Sequence, residues 1–314
     1  MKNLIISSLL LLTTILLSSW GFFAHKLINR HSVYSLPKEL AAFYKEHIDE
    51  ITERAVDADK RCYSDTNESP RHYIDLDDFQ SDSVDSIPIH WSDAIEKYEE
   101  RKLLAIGIVP WQINLTYQNL VRAFSERNTS KIIRYSADLG HYVADAHVPL
   151  HTTRNYNGQE TGQIGIHAFW ESRLPQLYVG SYDLLVGKAI YITDPLEQAW
   201  KIVKESNELV DEVLQTERKL SKEIPESQQR SYSNLNGSIQ WTYSDFYCNA
   251  YHEALNGMVE RRMKESILMV SSLWFSAWVD AGQPILSKAN TQHTFVRDST
   301  ENVKTKRLGR EEWQ

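Results

Sequence analysis

The residues best suited to chemistry crowd into one stretch, His141-Tyr142-Val143-Ala144-Asp145-Ala146-His147-Val148-Pro149-Leu150-His151, followed by His167-Ala168-Phe169-Trp170-Glu171. On a helix, His141 and Asp145 are four residues apart and project from one face about 6 Å from each other. His167 and Glu171 repeat that spacing. Two such pairs of nitrogen and oxygen ligands, with His151 just past a helix-breaking proline, are what a cluster of zinc ions requires. A single histidine on an apolar helix face is commonly a hydrogen-bonded core residue, but five ligand-type residues within 31 positions, at recurring spacing, point to a site. His147 is out of phase with the His141/Asp145 pair and is expected to make a structural hydrogen bond rather than bind metal.

Upstream, Asp57-Ala58-Asp59 and Arg71-His72-Tyr73-Ile74-Asp75 bracket a long loop. Carboxylates at a helix end face an unfavourable dipole and call for a cation. Asp59 with His72 would supply a further half-site, while an acidic, solvated loop explains the same residues. Asp57 stands close enough to Asp59 to be its rival.

These residues must be carried by helices. Leu40, Phe43, Tyr44, His47, Ile48, Ile51 and Ala55 recur at helical spacing behind Pro37, which predicts a helix over 37–55. Further helices are predicted over 110–126, from Thr129 or Ser130 to the stop at Pro149, from the Asp194-Pro195 cap to about 220, and over 244–281 with Gly282 and Pro284 ending the last. No set of segments alternates with period two and no repeat recurs, so the class is all-α, a single multi-helix domain over 20–286, with 287–314 a polar, charged tail. The loops 62–90 and 152–193 are long for connections in one domain and are therefore places to look for function.

With 314 residues, 42% hydrophobic and 24% charged, the chain has ample material for a core. Its net charge of −8 excludes a basic nucleic-acid coat, so any phosphate chemistry needs local positive charge, which bound metal would supply. At the start, Lys2 precedes the almost wholly apolar, 14-residue run Leu4–Leu17, too short to span a bilayer comfortably and shaped like a secretory signal. Cleavage after Ser19 would make residues 1–19 a removed signal peptide, leave Trp20 as the first residue, and take one lysine away, moving −8 to −9. The mature chain would be secreted or periplasmic. Export permits a disulfide between Cys62 and Cys248; two buried free thiols fit equally well.

Taken together, Trp20 with His25, the Ala-Asp and His-Tyr-Ile-Asp pattern from Asp59 to Asp75, the His141–His151 segment and His167–Glu171 resemble the superfamily of zinc-dependent phospholipases C and single-strand-specific zinc nucleases of fungi and plants. The resemblance covers most of the mature chain. It implies a helical protein with three zinc ions at the bottom of a cleft: one held by Asp59, His72 and His141, a second by His151, His167 and Glu171, and a third by His25, Asp145 and the free amino group and carbonyl of Trp20. A backbone amine binds zinc only once cleavage frees it, which would give the signal peptide a chemical consequence.

The implied activity is phosphodiester hydrolysis, in which a water deprotonated by zinc near neutral pH attacks phosphorus without a covalent enzyme intermediate. Asp59 is the expected proton acceptor. Tyr73 and Asp75 stand where the nucleases stack on and hydrogen-bond a base, and the same pair could frame a lipid headgroup. Glu171 matches the phospholipases, where nucleases usually carry Asp, whereas the short spacing from Trp20 to His25 matches the nucleases. Single-stranded nucleic acid and phospholipid thus both stand as substrates of an expected monomer with no stable protein partner. The alternative of another class is a non-catalytic exported zinc-binding protein; its metal sites would have closed coordination spheres, unlike triads that leave room for water.

Overall fold

The computed structural model describes residues 22–79, 83–235 and 238–286. The signal segment 1–19, Trp20 and the tail 287–314 lie outside the described residues. In chain order the helices are α1 (Phe22–Ser32), α2 (Lys38–Glu46), α3 (Ile48–Arg54), α4 (Asp57–Arg61), α5 (Trp91–Tyr98), α6 (Glu100–Ile106), α7 (Val109–Ser125) and α8 (Thr129–Ala146). They continue with α9 (Ile166–Ala168), α10 (Leu174–Tyr178), α11 (Pro195–Glu208), α12 (Val210–Glu223), α13 (Glu226–Gln229), the hairpin β1 (Arg230–Leu235) and β2 (Ser238–Tyr243), α14 (Asp245–Ala254) and α15 (Met258–Asp280). The class is all-α, as the periodicity predicts. Among the described residues no helix is long and apolar enough to cross a membrane.

The centre of the fold is α8, which packs against α1, α3, α7, α11 and α15. From Ser136 to Ala146 every residue of α8 is buried, polar ones included. Those polar groups need partners, and the surrounding helices supply them. Tyr44 stacks on Trp274 at 4.7 Å, the Tyr44 hydroxyl pairs with Ser136 Oγ at 2.7 Å, and Trp274 Nε1 donates to the Ser136 carbonyl at 3.0 Å. Two large rings from α2 and α15 are thereby pinned to one turn of α8, each burial contributing about 4 kcal/mol or more of apolar transfer. The closest approach is between α1 and α8, where Gly140 lies directly under Asn29: a methyl group on Gly140 would sit 1.9 Å from Asn29 Oδ1.

Several boundaries differ from the sequence expectation, each for a local reason. The side chain that caps α8 is Asn128, accepting from the Lys131 amide at 3.1 Å, one position before the predicted Thr129. The 37–55 helix is broken at His47, and the 194–220 helix at Leu209. The 244–281 run divides at Asn256 and Gly257, both left-handed (φ 48° and 74°), a conformation these two residue types tolerate. The expectation of no sheet is corrected by the β1–β2 hairpin, which pairs Arg230 with Tyr243 through Leu235 with Ser238. Its signal was short: Tyr232, Asn234 and Ile239, Trp241 alternate with Ser and Thr around Asn236-Gly237, the dipeptide most favoured in two-residue hairpins.

Candidate metal centre

Six separate segments deliver the ligand-type residues. His25 comes from α1, Asp59 from α4, and His72 follows the 3₁₀ turn Ser69–Arg71. His141 and Asp145 face one way from α8, and His151 lies in the 3₁₀ turn Pro149–Thr152. His167 is in α9 and Glu171 in the π-helical turn Phe169–Arg173, so that pair is not carried by the regular α-helix the spacing predicts. Pro175 explains the widened turn: it has no N–H to donate, and its ring would clash with the carbonyl four residues back, that of Glu171.

The structure brings all eight together, each between 1% and 4% exposed. Three groups have donor atoms within 4.8 Å of one another: Asp59, His72 and His141; His25, His141 and Asp145; and His151, His167 and Glu171. They merge into one cluster. His72 Nδ1 is 2.9 Å from Asp145 Oδ2 and 3.0 Å from His141 Nε2, and the rings of His25 and His141 stack at 4.1 Å. His25 Nε2 bridges Asp145 Oδ1 at 3.3 Å and Glu171 Oε1 at 3.2 Å, while Glu171 Oε2 meets His151 Nε2 at 3.2 Å and His167 Nε2 at 3.1 Å. Asp59 Oδ1 lies 3.9 Å from both His72 Nδ1 and His141 Nε2, so Asp59 is the aspartate that joins the cluster of donors. Asp57 lies instead beside Arg54, at 3.7 Å.

The nitrogens pointing away from the cluster fix which way the lone pairs face. His141 Nδ1 donates to the Ala55 carbonyl at 2.8 Å, and His151 Nδ1 donates to the His72 carbonyl at 2.7 Å. His72 Nε2 is turned toward Cys62 Sγ at 3.5 Å and Glu68 Oε1 at 3.7 Å. Neutral imidazoles held in this way aim lone pairs inward, at each other and at three carboxylates. Such a convergence is repulsive unless cations, either protons or metals, occupy its middle. The donor set of five imidazoles and three carboxylates therefore fits divalent metal.

The electrostatics agree. Burial by itself would raise the pKa values of Asp145 and Glu171, but the imidazoles of His141 and His151 around Asp145, and of His151, His167 and His25 around Glu171, outweigh it and hold both well below the usual carboxylate range. Burial opposes a charged ring at His72 and His25, yet Asp145, with Cys62 and Glu68 beside His72 and Glu171 beside His25, carries both above the ordinary histidine value. His147 behaves as predicted: burial and the neighbouring Arg262 push it well below that value, and its Nδ1 donates to the Val143 carbonyl at 2.7 Å.

Two ligand segments are clamped together reciprocally, since the Ile74 amide donates to the His151 carbonyl at 2.9 Å while His151 donates back to His72. Tyr73 and Asp75, expected at the substrate face, are 6% and 7% exposed, with Tyr73 closely packed against Gly107. Sequence reasoning missed Glu68. It is fully buried and receives Arg71 Nη1 at 2.5 Å, Arg61 Nη2 at 3.1 Å and the Tyr142 hydroxyl, and against the cost of burial His72, then Arg61 and Tyr142, hold it well below the usual carboxylate range. Its spacing of four from His72 was the available clue. Cys62 and Cys248 are both buried and form no disulfide, so the exported-disulfide alternative gives way to two thiols. Comparison with protein-family models finds no match to this chain, and a search of the curated proteins finds none either, so its function must be read from this site.

Proposed function

We propose that the chain is an exported, zinc-dependent phosphodiester hydrolase of the kind its motifs resemble, acting on a lipid headgroup or on single-stranded nucleic acid. The observation that carries this reading is the convergence of His25, Asp59, His72, His141, Asp145, His151, His167 and Glu171, drawn from six segments, into one buried cluster of inward-facing donors. Bound zinc would act as a Lewis acid toward the phosphoryl oxygens and bring the acidity of water near neutrality. The chain's own residues do the rest. The Ala55 and His72 carbonyls lock the orientation of His141 and His151, and Glu68 does the same for His72. Asp59, 3.9 Å from the His72 and His141 rings, would hold the proton released from the attacking water. The amine of Trp20, freed by removal of residues 1–19, would complete the group formed by His25 and Asp145.

The test is metal analysis of the mature protein together with hydrolysis of a soluble activated diester, bis(4-nitrophenyl) phosphate. About three zinc ions per chain with turnover that a chelator abolishes is the expected result. Fewer than two ions and no turnover would leave a non-catalytic zinc protein. Product identity from phosphatidylcholine and single-stranded DNA supplied together then separates the two substrate classes.

A further inference from the structure

The β1–β2 hairpin has two unlike faces. Arg230, Tyr232 and Asn234 share one with Ile239, Trp241 and Tyr243; the other carries Ser231, Ser233, Ser238, Gln240 and Thr242, with Leu235 at its outer end. At the base, the first face is buried: Tyr243 stacks on Phe169 at 3.9 Å, with the Arg230 guanidinium over its ring at 4.6 Å. Phe169 stands between the metal ligands His167 and Glu171. The base is fastened on its other side by Ser244, whose amide donates to the Gln229 carbonyl at 3.0 Å and whose hydroxyl donates to that of Gln228 at 2.5 Å. Further out the same face is bare. Tyr232 and Trp241 form a cross-strand pair 5.0 Å apart and are 74% and 56% exposed, Ile239 is 75% exposed, and Phe246, just past the base, is 59% exposed.

From Ser231 to Ser244, 14 consecutive residues carry no charge, in a chain that is 24% charged. A nucleic-acid strand could stack on the rings, but it is held by cations along its backbone, and the only flanking one, Arg230, is spent on Tyr243. A second copy of the chain is also a poor fit: the three exposed side chains of the strands themselves, Tyr232, Ile239 and Trp241, offer about 600 Å², short of the roughly 800 Å² per partner of a stable interface. An electroneutral aromatic and aliphatic tip, with Trp and Tyr at its flank, is instead the composition that settles at the boundary between lipid headgroups and acyl chains. The net charge of −8 selects against anionic membranes, leaving a zwitterionic surface.

We infer that the hairpin docks the protein on a zwitterionic lipid surface, with Tyr232, Ile239 and Trp241 entering the interface. Trp241 lies two residues from Tyr243, about 7 Å along the strand, so the docked surface is tied through Phe169 to the segment carrying His167 and Glu171. The inference rests on the hydrolase reading only in making that lipid's phosphodiester the substrate; docking stands on the hairpin alone.

The test compares the mature protein with Tyr232→Ser/Trp241→Ser in two assays, sedimentation with phosphatidylcholine vesicles and turnover of bis(4-nitrophenyl) phosphate. The expected result is about tenfold or greater loss of vesicle binding with unchanged thermal melting and unchanged soluble turnover. Loss of soluble turnover in both proteins would sink the hydrolase reading and leave docking to be judged by sedimentation. Should the double variant misfold, Ile239→Cys labelled with an environment-sensitive dye gives a second readout: a blue shift on vesicles is expected. Wild-type sedimentation by the double variant, no dye shift, binding to single-stranded DNA that the double variant loses in place of vesicle binding, or a wild-type dimer that the double variant returns to monomer would each overturn the inference.

Discussion

The contact of Gly140 with Asn29 makes Gly140→Ala an informative perturbation. In an isolated helix the change is stabilising by about 1 kcal/mol. Here the new methyl would lie 1.9 Å from Asn29 Oδ1 and 2.8 Å from its Cγ. Ordinary contact needs a retreat of about 1 Å or more, by a side chain that is fully buried and donates from Nδ2 to the Ala137 carbonyl at 3.2 Å. Overpacking of this kind costs about 1–3 kcal/mol, and stranding the buried amide about 1–3 kcal/mol more. After the helix gain is subtracted, a net loss of about 1–5 kcal/mol remains, or about 2–10 °C in melting temperature for a domain of this size. His25 sits one helical turn before Asn29 on α1 and stacks on His141, the neighbour of Gly140, so the retreat also opens the His25–His141–Asp145 group. The expected outcome is a lower melting temperature by circular dichroism and the loss of about one metal ion per chain after gel filtration. Asn29→Ala in the same protein should restore part of both, with a coupling of about 1 kcal/mol or more. A Gly140→Ala protein that melts higher than wild type and keeps its full metal content would refute the reasoning.

Other outcomes follow from the site. His151→Ala should abolish diester turnover while preserving helical ellipticity; retained turnover would count against the ligand assignment. An extra residue before Trp20 should depress both turnover and zinc content, and a fully active extended chain would remove the amino-terminal amine from the site. The stability difference between metal-loaded and chelator-treated protein should widen as pH rises. In the metal-free chain His25 and His72 have raised values, so their contribution is complete below about 6.5 and lost as pH climbs through those values, whereas Asp145 and Glu171, with lowered values, contribute from about 4.5 upward. Metal binding follows the opposite course, because protons compete for the same nitrogens at low pH. Melting scans from pH 6 to 8 with and without chelator would show it, and a gap that stays constant or narrows would contradict the lone-pair geometry.

Spacing made two pairs of the site legible in the sequence, one on regular structure and one, His167 with Glu171, across a π-helical turn. His141 and Asp145 could be paired by spacing because α8 is an unbroken helix, and His147 could be set aside for the same reason. Asp59 and His72 could be brought together only by resemblance, since they sit on either side of irregular turns and no periodicity orients them. Glu68 escaped because a carboxylate in a polar loop looks like any other until the fold buries it beside two arginines. Gly140 escaped because the need for a missing side chain is visible only from the neighbouring helix. The hairpin escaped because its alternation is confined to a pair of short strands in an otherwise helical chain, and the breaks at His47 and Leu209 because apolar periodicity continues through them.

Helix pitch, rather than ligand identity, decides where the carboxylate of Glu171 points. The loosely wound turn Phe169–Arg173 accommodates Pro175 and in doing so fixes the rotational phase between His167 and everything that follows. Each residue taken out of or added to such a turn re-aims the downstream side chains by about 100°. Pro175→Ala, by removing the reason for the slack, would allow the segment to rewind and swing Glu171 off its partners, with no change to any donor. Along this short stretch a single-residue insertion or deletion is therefore more damaging than most substitutions.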